Sequence, residues 1–328
     1  MAYSMDVIRR ARQRLESEKA DRESLHRERL QEAYKKLPRL QEIDRLLQAT
    51  MAAAAQAAFM GGRGAENLMA EAREANLALQ SEKEALLREN FPENWLMEGP
   101  ICRKCGGEGY IGSAMCDCLK EYCRQEQVKE VALLSAGDQT FENFDLSYYS
   151  DKIDTRFGAS PRAVMEYNFN ICRKYAEEFS QESGNLLFIG GTGLGKTHLS
   201  ACIAASAAEK GCSVAYETAS HLFAKLEKHR FNPDEDSDRD VAKLNRCDLL
   251  IIDDLGTELP GNFVTAALYS LLNDRLLAKK PMVISTNLTV EELGRRYNPQ
   301  IASRLQGSFN RLTFVGEDIR VQKSRGAR

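Results

Sequence analysis

The chain has 328 residues, 43% hydrophobic and 28% charged, a globular composition long enough for about two or three domains. A formal net charge of −3 excludes a polycation, so any nucleic-acid contact must come from a local patch. No apolar run approaches the roughly eighteen residues of a membrane span, and the start, MAYSMDVIRRARQRLESEK, lacks the apolar core of a signal peptide. No membrane contact is therefore expected, and nine cysteines in such a chain point to reduced thiols and a cytoplasmic setting rather than a disulfide scaffold.

Residues 1–95 read as helix. Apolar residues recur at helical spacing: Ile8, Ala11, Leu15; then Leu40, Ile43, Leu47; then Leu68, Ala72, Ala75, Leu79, Leu86. Pro38 and the glycines of GGRG at 61–64 divide the run into two or three helices. The expected form is a small antiparallel bundle or coiled-coil arm, and narrow apolar stripes on charged helices suit docking to a partner protein.

Residues 96–125 break this pattern. Cys102 and Cys105 form a Cys-x2-Cys pair followed by GGEG, and Cys116 and Cys118 form a Cys-x-Cys pair. Thiolates at this spacing suit a tetrahedral Zn2+, and with no open catalytic position in view the expected site is structural, folding a segment too short for its own core. Cys-x-Cys is the tighter half-site, so Cys123 stays open as a substitute for one of that pair. The stretch CRKCGGEGYI resembles half of a DnaJ-type zinc repeat, which implies a zinc knuckle and nothing about chaperone function. Cys172, Cys202, Cys212 and Cys247 lie among apolar neighbours and read as buried thiols.

Residues 126–160 form a linker containing TFENFD, and residues 161–328 alternate strand-like and helical runs. The strand-like runs are NLLFIG, SVAYET, DLLIIDD and PMVISTN, each followed by a helical segment, which predicts an α/β domain with a parallel sheet covered on both faces. Within it GGTGLGKT, Gly190, Gly191, Thr192, Gly193, Leu194, Gly195, Lys196 and Thr197, follows a strand and opens a helix. This is the context a phosphate-binding loop requires: glycine backbone N–H groups and a helix N-terminus meet phosphate oxygens, Lys196 reaches the β- and γ-phosphates, and Thr197 holds Mg2+. The strand DLLIIDD ends in Asp253, expected to order the Mg2+ shell, and Asp254, expected to polarise the attacking water. Asp stands at the second position where a Glu is common, so slow hydrolysis is expected and Glu258 is the next carboxylate to consider. Asn287, at the end of PMVISTN, is expected to hold that water as a sensor.

These motifs, with TFENFD, GGTGLGKTHL, LLIIDDLGTE, VISTNL, SRL and FVGEDIR, together resemble the AAA+ ATPases of the DnaC/DnaI-type bacterial helicase loaders and their IstB-type relatives over about residues 140–322. The resemblance implies an adenine-side role for Phe141 and Phe144 and a place for His198 beside the phosphate loop. It also implies an arginine finger at Arg304 acting on a neighbouring subunit, a second sensor at Arg320, and no helical lid after it. In such proteins a helical insertion near the ATP site touches single-stranded DNA. Here Phe223, Lys225, Lys228, His229 and Arg230 supply an aromatic residue and charge for such a contact, and the acidic DEDSDRD after them reads as a loop. The implied function is an ATP-dependent loader of a DnaB-type replicative helicase, the arm binding the helicase, the knuckle tying arm to motor, and subunits assembling through Arg304. Two alternatives stand beside it: an IstB-type transposase helper, and a nucleotide-gated adaptor with little hydrolysis.

Overall fold

The computed structural model describes residues 3–60, 63–93, 95–96, 99–134, 139–155 and 158–326. It divides into two compact units, Gln13–Cys116 and Met1–Arg12 with Asp117–Arg328. The boundaries expected from composition fall instead near 95 and 125. Early residues belong with the larger unit because Val7 and Ala11 are buried and Arg10 pairs with Glu130 at 2.5 Å.

The smaller unit is helical up to its cysteine segment. The helices are α1 (Met5–Lys36, whose first residues lie in the larger unit), α2 (Pro38–Met60) and α3 (Arg63–Asn90). Pro38 opens α2, where its missing N–H costs nothing. α2 and α3 run antiparallel, fixed by Arg39–Glu82, Lys83–Asp44 and Asn76–Thr50 contacts at 2.8, 2.9 and 3.0 Å. The pairing leaves Leu46, Met51, Leu68, Met69 and Leu77 exposed. After α3, Phe91 and Trp95 stack on each other and lie under Lys36 and Arg29 of α1. A two-strand hairpin, β1 (Tyr110–Ile111) and β2 (Ala114–Met115), follows within the cysteine segment.

The larger unit continues with α4 (Asp117–Leu134), a single 3-10 turn at Leu146–Tyr148, and α5 (Pro161–Glu177). Then come β3 (Asn185–Gly190), α6 (Lys196–Glu209), β4 (Val214–Thr218), α7 (Ala219–Phe231), α8 (Glu235–Arg246), β5 (Leu249–Leu255) and α9 (Asn262–Leu277). The chain closes with β6 (Met282–Thr286), α10 (Val290–Arg296), α11 (Pro299–Ser308), β7 (Phe309–Phe314) and α12 (Ile319–Gly326).

The five longer strands form one parallel sheet in the order β4-β5-β6-β3-β7. Side chains alternate between two cores. Leu186 and Phe188 of β3, Ile251 of β5 and Val283 of β6 enter one; Leu187, Leu250, Ile252 and Ile284 enter the other. This two-faced burial explains the unbroken apolar runs in the sequence. The strand carrying the phosphate loop, β3, lies between β6 and β7, and α12 is the last described element. No helix among the described residues is long and apolar enough to cross a membrane.

One expectation fails locally. The acidic stretch DEDSDRD lies on α8 rather than in a loop. Asp234 accepts from Ser237 N as N-cap, Ser237 returns the contact, and the first-turn carboxylates face a helix N-terminus that favours negative charge.

Candidate nucleotide site and cysteine cluster

The C-terminal ends of β3, β5 and β6 lie side by side and carry the phosphate loop, the two aspartates and Asn287. They open on a cavity of about 480 Å³ lined by Thr192 to His198, Asp254, Asn287, Phe144 and Arg320, together with residues of segment 139–149 and α12. Two glycines make the loop possible. Gly195 (φ 86°) caps α6, and a Cβ there would stand 2.9 Å from both Phe144 and the Tyr149 hydroxyl. Gly193 (φ 67°) lets Asp318 pack where a side chain would be, while Ile319 N donates to Gly193 O at 3.0 Å. The start of α12 is thereby held against the loop, and Arg320 faces the cavity.

Lys196 is 5% exposed, and its ammonium donates to Gly190 O (2.7 Å), Gly191 O (2.6 Å) and Asn287 Oδ1 (2.7 Å). Burial lowers its pKa, against the raising effect of Asp254 and Asp253. β5 shifts its register against β6 between Ile252 and Leu255, while Asp253 still pairs with Thr218 of β4. Asp254 has φ 56°, a left-handed conformation that Asp tolerates better than most residues, and its N–H donates to Ser285 Oγ at 2.9 Å. Burial and neighbouring Asp253 raise its carboxyl pKa, and Lys196 and Arg320 oppose that rise.

Asp253 lies behind the cavity wall at 3% exposure. The Tyr216 hydroxyl donates to its Oδ2 at 3.0 Å, and the Ser285 hydroxyl donates to its Oδ1. Its charge still reaches Lys196. Glu258 does not reach the cavity. It is 5% exposed and accepts from Gly256 N, Arg296 and the Tyr297 hydroxyl, which fixes the turn after β5.

The two phenylalanines separate. Phe144 lines the cavity and meets His198 edge-on, whereas Phe141 lies outside the lining and packs edge-on against Phe169. Arg304, on α11, is also outside the chain's own cavity. It stacks over Tyr269 at 4.3 Å and donates to the Tyr269 hydroxyl and Asn273 Oδ1. The sequence reading missed Tyr216 and Ser285 as holders of Asp253. Ser285 carried a signal, as a polar residue inside an apolar strand; Tyr216 carried none.

The residues expected to meet DNA are brought together on α7 but not as free groups. Phe223 is 4% exposed and belongs to the core, because it lies on the apolar face of α7 with Leu222. It is not available for base stacking. Lys225 pairs with Glu217 (2.6 Å) and Lys228 with Asp234 (2.7 Å), and His229 Nδ1 lies 3.1 Å from Asp238 Oδ1. Arg230 is exposed, and the next residue, Phe231, is 69% exposed with its ring 5.5 Å from that of Phe263.

The Sγ atoms of Cys102, Cys105, Cys116 and Cys118 all lie within 4.8 Å of one another, with Cys102 and Cys116 at 3.8 Å. Zn–S bonds of about 2.3 Å in a tetrahedron give S–S edges of about 3.8 Å, so the donor set and spacing fit Zn2+. Gly109 N donates to Cys105 Sγ at 3.3 Å, a contact that steadies a thiolate. Cys123 is not in this group. It is fully buried on α4, and burial pushes its thiol up to about 11, a poor ligand state.

Residues 121–325 match the family model described as IstB-like ATP binding protein. The chain is 25% identical over 134 residues to the replicative helicase loader DnaC of Escherichia coli (strain K12), covering 41% of this chain and 55% of that protein. It is 27% identical over 154 residues to the insertion sequence IS21 putative ATP-binding protein of Pseudomonas aeruginosa, covering 45% and 57%. The chain thus spans about half the length of the curated relatives it matches. Among solved structures, the crystal structure of the DnaC helicase loader aligns with a TM-score of 0.44 at 19% identity, covering 53% of this chain and 98% of that one. With the family model covering most of the chain, and the phosphate loop, Asp254, Asn287 and Arg320 gathered around one cavity, the chain belongs to the IstB-like ATP binding protein family, with an AAA+ P-loop core.

Proposed function

We propose that the protein is an ATP-dependent loader of a replicative DNA helicase. The observation that carries the ATP part is the contact of Lys196 with Asn287, which brings the phosphate-binding cation and the water-holding amide into one cavity with Asp254. Lys196 would leave its loop carbonyls for the β- and γ-phosphates, and Thr197, in the cavity lining, would hold Mg2+, with Asp253 adding its charge from behind. Bound Mg2+ supplies charge stabilisation at the phosphates. Asp254 polarises the attacking water, Asn287 orients it, and Arg320 adds a second cation at the phosphate end. Asp is shorter than Glu, so turnover is slow and ATP acts mainly as a switch.

The helical unit is the helicase-docking arm in this reading, supported by the exposed apolar side chains of α2 and α3. Single-stranded DNA is met by Arg230 with the exposed Phe231 and the half-buried Phe263 beside it, since Phe223 is core. The cysteine cluster holds structural Zn2+. A transposase-helper reading is supported by the comparable likeness to the IS21 protein. The deciding experiment is capture of purified DnaB-type helicase and purified IS21-type transposase on the immobilised full-length chain with ATP. Capture of helicase supports the loader; capture of transposase alone sinks it. The same test with residues 13–116 deleted assigns docking, and retained helicase capture removes the arm from that role.

A further inference from the structure

One wall of the nucleotide cavity, packed against the phosphate loop, is built by residues 139–149 and α12. Most of its polar groups are already engaged. Asn143 Oδ1 accepts from Thr140 N at 3.0 Å, and Asp145 Oδ1 accepts from Ser147 N at 2.8 Å. The Tyr149 hydroxyl donates to Leu194 O at 3.0 Å, and His198 Nε2 is 2.9 Å from Thr140 O. Gln139 differs. It lines the cavity, and its Oε1 is shielded from water with no hydrogen-bond partner. A shielded acceptor without a donor costs free energy, which a ligand's N–H placed there returns.

We propose that the Gln139 side-chain amide reads the base edge of the bound nucleotide and selects adenine. This rests on the cavity being a nucleotide site, and it names a specificity residue for that site. A glutamine amide offers one acceptor and one donor side by side. Adenine's N6 amino group and N7 present the complementary donor and acceptor, whereas hypoxanthine and guanine present two acceptors, O6 and N7. Rotating the amide exchanges its two atoms but keeps the pair, so the match is a property of the residue type. At this N7 edge, one of its two atoms always faces a like group in a 6-oxo purine. Phe144, with His198 edge-on to it, supplies the apolar contact that any base shares, so it adds affinity without choosing between bases.

The test is competition of ATP and ITP, which differ at the 6-position of the base, against a fluorescent ATP analogue on the full-length chain without hydrolysis. The native chain should favour ATP by tenfold or more, the scale of one bidentate base contact. Gln139→Leu, close in size and unable to hydrogen-bond, should bring the ratio near one while both nucleotides still bind; Gln139→Met is the second variant if the first melts early. The ratio is read within each variant, so a general loss of stability does not imitate the effect. Equal binding of ATP and ITP by the native chain, preference for ITP, or a native ratio in both variants overturns the inference and leaves the nucleotide site standing. Failure of the native chain to bind either nucleotide overturns both.

Discussion

Lys196 and Asn287, 91 residues apart in sequence, meet at 2.7 Å where β3 and β6 end side by side. The contact ties the phosphate loop to a neighbouring strand end before any ligand is considered. The lysine is thus positioned by the sheet, and its burial makes its charge costly unless anions or carbonyls surround it.

Lys196→Ala should abolish tight ATP binding, because the ammonium that meets the β- and γ-phosphates is gone. Asn287→Ala should keep binding within a few-fold and slow turnover by about 10²-fold, the scale for one positioned polar group at the reacting centre. Fluorescent-nucleotide titration and phosphate-release assays separate the two. Native affinity in Lys196→Ala contradicts the phosphate-loop assignment.

Asp254→Asn should retain ATP binding and lose hydrolysis by about 10²–10⁴-fold. In the nucleotide-free protein, a carboxyl NMR titration should place Asp254 above the usual value of about 3.9. The folded chain then holds this proton more tightly than the unfolded chain. Its stabilising contribution is full below the unfolded midpoint and fades as pH rises through the folded one. Lys196→Ala should move the midpoint further up, since that cation lowers it; a downward move would show that another group controls Asp254.

The cysteine cluster should carry about one zinc per chain when the protein is prepared reduced without added metal, read by elemental analysis. Cys105→Ser should lower the metal content, while Cys123→Ser should leave it unchanged because Cys123 lies outside the cluster. Metal lost equally from both variants would argue against the four-cysteine set.

Phe231→Ala and Phe263→Ala should each weaken binding to single-stranded DNA by about 1–3 kcal/mol with little change in melting temperature. Phe223→Ala should do the reverse, destabilising the fold by about 3–5 kcal/mol as a core deletion. Fluorescence anisotropy and thermal melts distinguish them. Unchanged DNA affinity in the double variant Phe231→Ala/Phe263→Ala would move the DNA contact elsewhere.

Arg304 is held on Tyr269 and does not line its own chain's cavity, so a finger role requires a neighbouring subunit. Lys196→Ala and Arg304→Ala proteins, each inactive alone, should regain part of the ATPase activity when mixed, since some interfaces then join an intact cavity to an intact Arg304. Full activity of Arg304→Ala alone, or an inactive mixture of proteins that still assemble, removes the finger assignment.

Legibility in the sequence followed how local each determinant was. The phosphate loop was readable because its glycines, lysine and flanking strand and helix are contiguous, and the cysteine set because its members fall within seventeen residues, 102–118. Strand runs were readable because a parallel sheet buries both faces, so β3, β5 and β6 are apolar at successive positions. Charge misled at 234–240, where capping by Asp234 and the helix N-terminus turn an acidic run into the start of α8. Composition also misled at Phe223, since burial depends on which face of α7 meets the sheet. Only the tertiary structure brought Tyr216 and Ser285 onto Asp253, withdrew Glu258 from the cavity, set Phe144 against the loop and Phe141 away from it, and left Gln139 lining the cavity with a shielded, unpaired oxygen. Each of these depends on strand order and on segments far apart in the chain, which no local pattern encodes.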